Sequence, residues 1–288
     1  MDKISLLFAF SAMLFWGIGD FLIQKTVKKI GDLETTVAIG IIGMIGLFPF
    51  VKKDIASVFT STHSLTPLFV SGILILLATL ALLESMKRGK LSVVEVVVTL
   101  ELPMTIMLGL NFFGERLMLG QWVIIGFLLF GIFLSSTDFS KIKRKHFLEK
   151  GVLLAVIAAI ISASVNFMMA FNVKNEISPF LVIWFPWAVC VFVSIPFIYF
   201  REGLGLFLSN MKKFKLLVLI TGLIDTFAWL FFSFAVQKSE LSLIATITES
   251  YVAVAVFLGL VFNKEKITKY QAGGAILSLC SSFAIGFF

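Results

Sequence analysis

Four carboxylic acids stand inside long apolar stretches of this chain: Asp20, Glu101, Asp225 and Glu249. An ionisable side chain at mid-bilayer costs at least about 2.5–3.5 kcal/mol on insertion scales, so each of them needs a reason to be there. Trp16, Asp20 and Gln24 recur every four residues and therefore share one helix face, which joins an aromatic platform, a carboxyl and an amide. Asp225 shares a face with Thr221 and Trp229, where carboxylate and indole together can hold a cationic or amphipathic group. No lysine or arginine lies deep in these stretches to neutralise the acids. At least one acid is therefore expected to be protonated at rest and to exchange a proton during a functional cycle. The competing account makes them structural acids held by hydrogen bonds, with Asp20 in a polar seam between the first and sixth helices.

Other acids have plainer readings. Glu84 precedes Arg88 by four residues, the spacing of an interfacial ion pair. Glu115 and Glu265 open the fifth and tenth apolar runs, where a carboxylate meets the positive end of a helix dipole. Glu95 and Glu101 are six residues apart, about 120° around a helix, so only one of them is expected to line a common cavity. Pro103 frees a backbone carbonyl four residues earlier and is expected to kink the fourth run.

The elements that must position these groups follow from composition. Of 288 residues, 59% are hydrophobic and 14% charged, against about 25% charged in a soluble domain. The 33 Phe exceed what a water-facing surface tolerates. Runs of the roughly 20 residues needed to cross a bilayer fall near 4–25, 34–51, 66–86, 91–113, 118–136, 150–173, 179–200, 213–236, 241–262 and 268–288. They are continuously apolar without a two-residue alternation, which selects helices over a barrel. The expected fold is an all-α polytopic membrane protein of ten transmembrane helices. Its first run contains Asp20 and Gln24 and lacks a small-residue cleavage site, so it reads as a mature helix. Gly40, Gly43, Gly46 and Pro49 suggest close packing or a break in the second run.

The net charge of +7 does not indicate nucleic acid, because the basic residues sit in short clusters between apolar runs. With ten spans, eighteen lysines and arginines fall on one side of the membrane and six on the other. The positive-inside rule then makes the richer side cytoplasmic and leaves both termini extracytoplasmic, with a basic cytoplasmic connector at 138–149. Cys190 and Cys280 lie in apolar runs and read as buried small side chains, while His63 and His146 fall in loops. No cofactor or metal site is expected from this set.

The two halves of the chain repeat. Residues 91–122 align without a gap on 241–272, pairing Ser92 with Ser242, Gly109 with Gly259, Glu115 with Glu265 and Gln121 with Gln271. Asp20–Phe21 falls on Asn166–Phe167 at an offset of 146. Residues 1–137 and 150–288 thus form two five-helix repeats, and an odd number of spans inverts the second copy. Inverted repeats build the alternating-access architecture of many secondary transporters. The duplication also sets Glu249 opposite Thr99 and Glu101 opposite Tyr251, so the acids are asymmetric between the halves, as suits a substrate with distinct ends. Pro103 falls on Ala253, which makes any kink one-sided.

GERLMLGQWVIIG from Gly114, NKEKITKYQAGGA from Asn263 and WGIGDF from Trp16 resemble the EamA family of the drug/metabolite transporter superfamily. The resemblance covers the whole chain in length, span count, repeat and motif position. Two departures stand out: the second copy has Asn263–Lys264 where the first has Phe113–Gly114, and Asn166 lacks a preceding Trp-Gly pair. The resemblance implies a carrier with helices 1, 3, 4, 6, 8 and 9 around a central cavity and helices 5 and 10 packed behind. On these grounds the substrate-binding candidates are Trp16, Asp20, Glu101, Asn166, Asp225, Trp229, Glu249 and Tyr251.

The function expected is secondary export of a small amino acid-like, polar or amphipathic metabolite through the cell membrane, driven by protons or by exchange. A lipid scramblase or flippase, or a sugar or nucleoside permease of the same fold, is the alternative. No Gly-x-x-x-x-Gly-Lys-Ser/Thr stretch serves a nucleotide pump. No His-Glu-x-x-His or protease motif favours a membrane enzyme. Both repeats lie in one chain, so a functional monomer is expected.

Overall fold

Apolar runs of this length satisfy their own backbone polar groups as helices, and that is how the chain folds. The computed structural model describes residues 2–55, 58, 62–88, 94, 97–137, 150–201, 203–262 and 268–287. The connector at 138–149, Glu95, His146 and Glu265 lie outside the described residues.

The first repeat contributes α1 (Lys3–Ile30), α2 (Asp32–Val51), α3 (Thr62–Arg88), α4 (Glu101–Phe112) and α5 (Leu119–Ser136). The second contributes α6 (Lys150–Lys174), α7 (Pro179–Arg201), α8 (Leu204–Lys213), α9 (Lys215–Gln237), α10 (Leu241–Thr248), α11 (Tyr251–Phe262) and α12 (Lys269–Ile285). Among the described residues eight stretches are long and apolar enough to cross a membrane, one of them running across α10 and α11. The chain is a multi-pass membrane protein. The two stretches that fall short are α4, with 12 residues, and α12, with 17.

Several boundaries differ from expectation, among them that of α1, which runs on to Ile30. The ninth run, expected as one helix over 241–262, is interrupted by a turn at Glu249 and Ser250. The fourth has a turn at Thr99 and Leu100 before α4 begins. Those two turns are related by the 150-residue offset of the repeat, so the interruption belongs to both halves and is not the one-sided kink that Pro103 alone would make. The third run starts earlier than expected, which places the backbone of His63 in the first turn of α3. A further short helix, α8, lies in what read as a loop; it buries Phe207 and exposes Leu206 and Leu208.

The packing crosses between the repeats. Helix α1 lies along α9, and its equivalent α6 lies along α3. The pairs α2 with α7 and α5 with α12 each join equivalent helices of the two halves. Likewise α4 meets α6, while α11 meets α1. Exchanging the halves maps each contact onto another, as a pseudo-two-fold axis requires.

Small residues permit these approaches. In α2, which runs unbroken through Pro49, a Cβ on Gly40 would stand 3.0 Å from the Trp187 ring, and one on Gly43 would stand 3.6 Å from it. Gly46 faces open space. Trp184 donates to the Met44 carbonyl at 3.0 Å, which fastens α7 to α2. The outer surface is apolar, with Phe48, Phe127, Phe130, Phe192 and Phe197 exposed as a lipid-facing shell requires. Cys190 is buried but Cys280 is exposed, contrary to expectation. A lipid-facing position and a core position carry the same apolar neighbours in sequence.

At the α5–α12 crossing a Cβ on Gly274 would stand 2.6 Å from the Gly131 carbonyl and the Leu134 Cβ. Gly274→Leu is therefore expected to pry these helices apart at a cost of roughly 1–3 kcal/mol. A thermal melt of the detergent-solubilised protein checks this, and an unchanged midpoint would refute the close approach.

Candidate binding cavity

Between the repeats lies a cavity of about 230 Å³. All eight candidate residues line it: Trp16 and Asp20 from α1, Glu101 from α4, Asn166 from α6, Asp225 and Trp229 from α9, Glu249 from the turn after α10, and Tyr251 from α11. Helix α3 completes the wall with Ile75, Ala78, Thr79 and Leu82. These elements are the first, third, fourth, sixth, eighth and ninth apolar runs. A second cavity of about 370 Å³ shares Asp20, Leu82, Glu101, Glu249 and Tyr251 with the first, so the two meet at the acids. Ile132, Ser135 and Ser136 of α5 and Gln271 of α12 line this second chamber, so the fifth and tenth runs do more than pack behind.

The interruptions place the acids. Leu100 is the N-cap of α4 and Glu101 its first residue, so the carboxyl sits at the positive end of a half-helix. Pro103 falls in that first turn, where its missing N–H leaves no ladder bond unmade. In the other half Glu249 caps the end of α10, its N–H bonded to the Ala245 carbonyl at 2.9 Å. The chain re-enters a helix at Tyr251, with the Ala253 N–H bonded to the Ser250 carbonyl at 3.0 Å. Ser250 is fully buried and reaches the Ser278 carbonyl of α12 at 3.4 Å.

Asn166 Nδ2 donates to Glu101 Oε1 at 2.9 Å and ties α6 to α4. Asp225 is 7% exposed, and its Oδ2 is buried without a hydrogen-bond partner. Asp20 stands within electrostatic reach of Glu101, Asp225 and Glu249. Trp16 meets Trp229 edge-on with centroids 4.9 Å apart and Tyr251 at 6.3 Å, forming an aromatic wall beside the acids. Asp20 therefore faces a cavity beside α9, not a polar seam with the sixth run. Thr221 does not join Asp225 in the wall; its hydroxyl pairs with Thr26 at 3.0 Å across α1 and α9. Thr79 and Ser162, which also line the cavity, had no signal beyond being hydroxyls in apolar runs. Glu84 does pair with Arg88, at 2.5 Å.

Glu115 departs most from its expected role. It precedes α5 by several residues and caps a helix of the other repeat. Gly114, at φ +65°, turns the chain there through a conformation that favours glycine. Glu115 Oε1 accepts from the Leu241 N–H at 2.5 Å, while Oε2 accepts from the Ser242 N–H at 2.9 Å and the Ser242 hydroxyl at 2.6 Å. The first turn of α10, whose far end carries Glu249, is thus held by the first repeat. Gly109 leaves the room; a Cβ there would stand 2.5 Å from Glu115 Oε2. The glutamine of each Glu-x-x-x-x-x-Gln motif caps its own helix: Gln121 Oε1 accepts from Met118 N–H at 2.8 Å, and Gln271 Oε1 from Thr268 N–H at 2.9 Å.

Comparison with known proteins agrees with this architecture. A family model described as the EamA-like transporter family matches residues 3–137 and again 149–287. Uncharacterized protein MJ1333.1 of Methanocaldococcus jannaschii is 27% identical over 123 residues, which cover 43% of this chain and 89% of that protein. That relative is little longer than one repeat. A solved crystal structure aligns with a TM-score of 0.80 at 15% identity, covering 99% of this chain and 97% of the other, a likeness of fold.

Removing the cap tests the inter-repeat tie. Glu115→Ala strands the Leu241 and Ser242 N–H groups and is expected to cost on the order of 1–3 kcal/mol, whereas Glu115→Gln keeps one acceptor and loses less. Equal melting of both variants with the wild type would show the cap to be dispensable.

Proposed function

Because the chain belongs to the EamA-like transporter family, we propose that it is a secondary active transporter, exporting a small polar or amphipathic metabolite across the cell membrane by alternating access. The observation that carries this reading is the cavity at the meeting point of the two interrupted runs, one from each repeat. Broken helices at equivalent positions of a duplicated membrane fold are where such carriers hold their substrates. Backbone released there faces cavity and protein instead of lipid.

In this reading the ten apolar runs all span, α4 and α12 included. The second repeat is inverted, and the basic connector and both termini take the sides that the charge bias assigns. The halves rock about the crossed contacts α1–α9 and α3–α6, exposing the cavity to one side and then the other. Substrate rests against Trp16, Trp229 and Tyr251, with Asn166 and the acids as its polar partners. Asp20, Glu101, Asp225 and Glu249 take up and release protons as the cavity changes sides, which couples the solute to a proton gradient. Glu115 ties the first turn of α10 to the opposite repeat throughout this movement. One chain supplies both halves, so a monomer suffices.

Flux from proteoliposomes loaded with amino acids, nucleosides, sugars and amines, with and without an imposed pH gradient, tests the proposal. Selective loss of one class that accelerates under the gradient is expected. Glu249→Gln, Glu101→Gln and Asp225→Asn are each expected to remove most of that acceleration. Wild-type gradient dependence in all of them would rule out proton coupling through these acids. No loss of any solute through folded protein would count against the carrier itself.

A further inference from the structure

The chemistry of the cavity wall selects among solutes. Four carboxyls line the joined chambers, and among the described residues no lysine or arginine lines either of them. A zwitterionic amino acid would bring a carboxylate of its own into this acidic enclosure and find no cation to meet it. An unmatched buried charge is costly. A solute carrying only the ammonium group meets the opposite situation.

A second observation points the same way. Asp225 is more than nine-tenths buried and lines the first chamber, and its Oδ2 lacks a partner. A desolvated carboxyl at the chamber wall favours a cationic donor over a second anion. Trp229, one helical turn along α9 from Asp225, and Trp16 place aromatic surface beside it. Glu101, by contrast, already receives the Asn166 amide.

We propose that the substrate is a small organic amine in its ammonium form, with an apolar body and no carboxylate, whose N–H donors meet Asp225 and the Asp20 carboxyl. The apolar body packs against Trp16, Trp229 and Tyr251. Nucleosides and sugars offer no cation, and amino acids are penalised by their carboxylate. This rests on the carrier reading of the cavity and narrows its substrate class.

Matched ligands that differ in one charged group provide the test. Purified protein would be assayed for saturable binding of tritiated phenethylamine, with phenylalanine and 3-phenylpropionate as competitors. Phenethylamine should bind, phenylalanine should compete at least roughly tenfold more weakly, and 3-phenylpropionate should not compete. Asp225→Asn, verified as monodisperse with a wild-type melt, should weaken phenethylamine by roughly tenfold or more. If it does not fold, the wild-type comparison still decides. Phenylalanine binding as tightly as the amine, or no saturable amine binding, would overturn the proposal. Flux separates the two readings. Export of phenylalanine without amine binding would overturn the amine proposal and leave the carrier standing. Amine-selective binding with no flux of any solute would support the amine site and count against the carrier.

Discussion

A backbone that leaves its helical ladder inside a bilayer has no water to turn to, so every freed N–H and C=O must find a partner in the protein or in a cavity. Much of this molecule is organised around two such places. Near Thr99 and Leu100 in the first repeat, and at Glu249 and Ser250 in the second, the chain turns between helical segments. Local bonds meet part of the demand, as with Glu249 N–H to Ala245 and Ala253 N–H to Ser250. The rest of the second-repeat element is steadied from outside. Ser250 reaches α12, and Glu115 of the opposite repeat holds the first turn of α10. The acids follow from the same constraint, because both Glu101 and Glu249 stand at helix ends where a cavity, and not lipid, faces them.

The crossed packing explains why one cavity forms and why it is lined from both halves. With α1 against α9 and α3 against α6, neither repeat encloses a space alone. The close approaches at Gly131 and Gly274 fasten the periphery, while the inner helices carry the polar residues. The wall is built partly from short helices, 12 residues in α4 and 8 in α10, and short helices depend most on their tertiary contacts.

Much of this was legible in the chain. Residues too costly to leave in lipid were found by that cost alone, which is why Asp20, Glu101, Asp225 and Glu249 all face the cavity. The duplication marked Asn166 and Tyr251 through their partners. The break at Glu249 was not legible, because Thr248, Glu249 and Ser250 include neither proline nor glycine and the run stays apolar on either side. Pro103 pointed to an interruption in the first half and hid the fact that the second half has one as well. Sequence spacing places Glu115 at its nearest helix, because local capping is visible in sequence, whereas a cap given to a helix more than a hundred residues away is not. The exposure of Cys280 is not legible in sequence, because lipid and core ask for the same side chains.

The fusion of the two repeats has a consequence for how the cavity can evolve. In a pair of identical half-length chains every change would occur twice, so an acid gained by one helix would face its own copy. Here Glu249 stands at the position of Thr99, Tyr251 at that of Glu101, and Asn166 at that of Asp20. The two halves differ in chemistry at each of these three positions. Covalent linkage thus lets a scaffold that is symmetric in its packing carry a chemically handed interior.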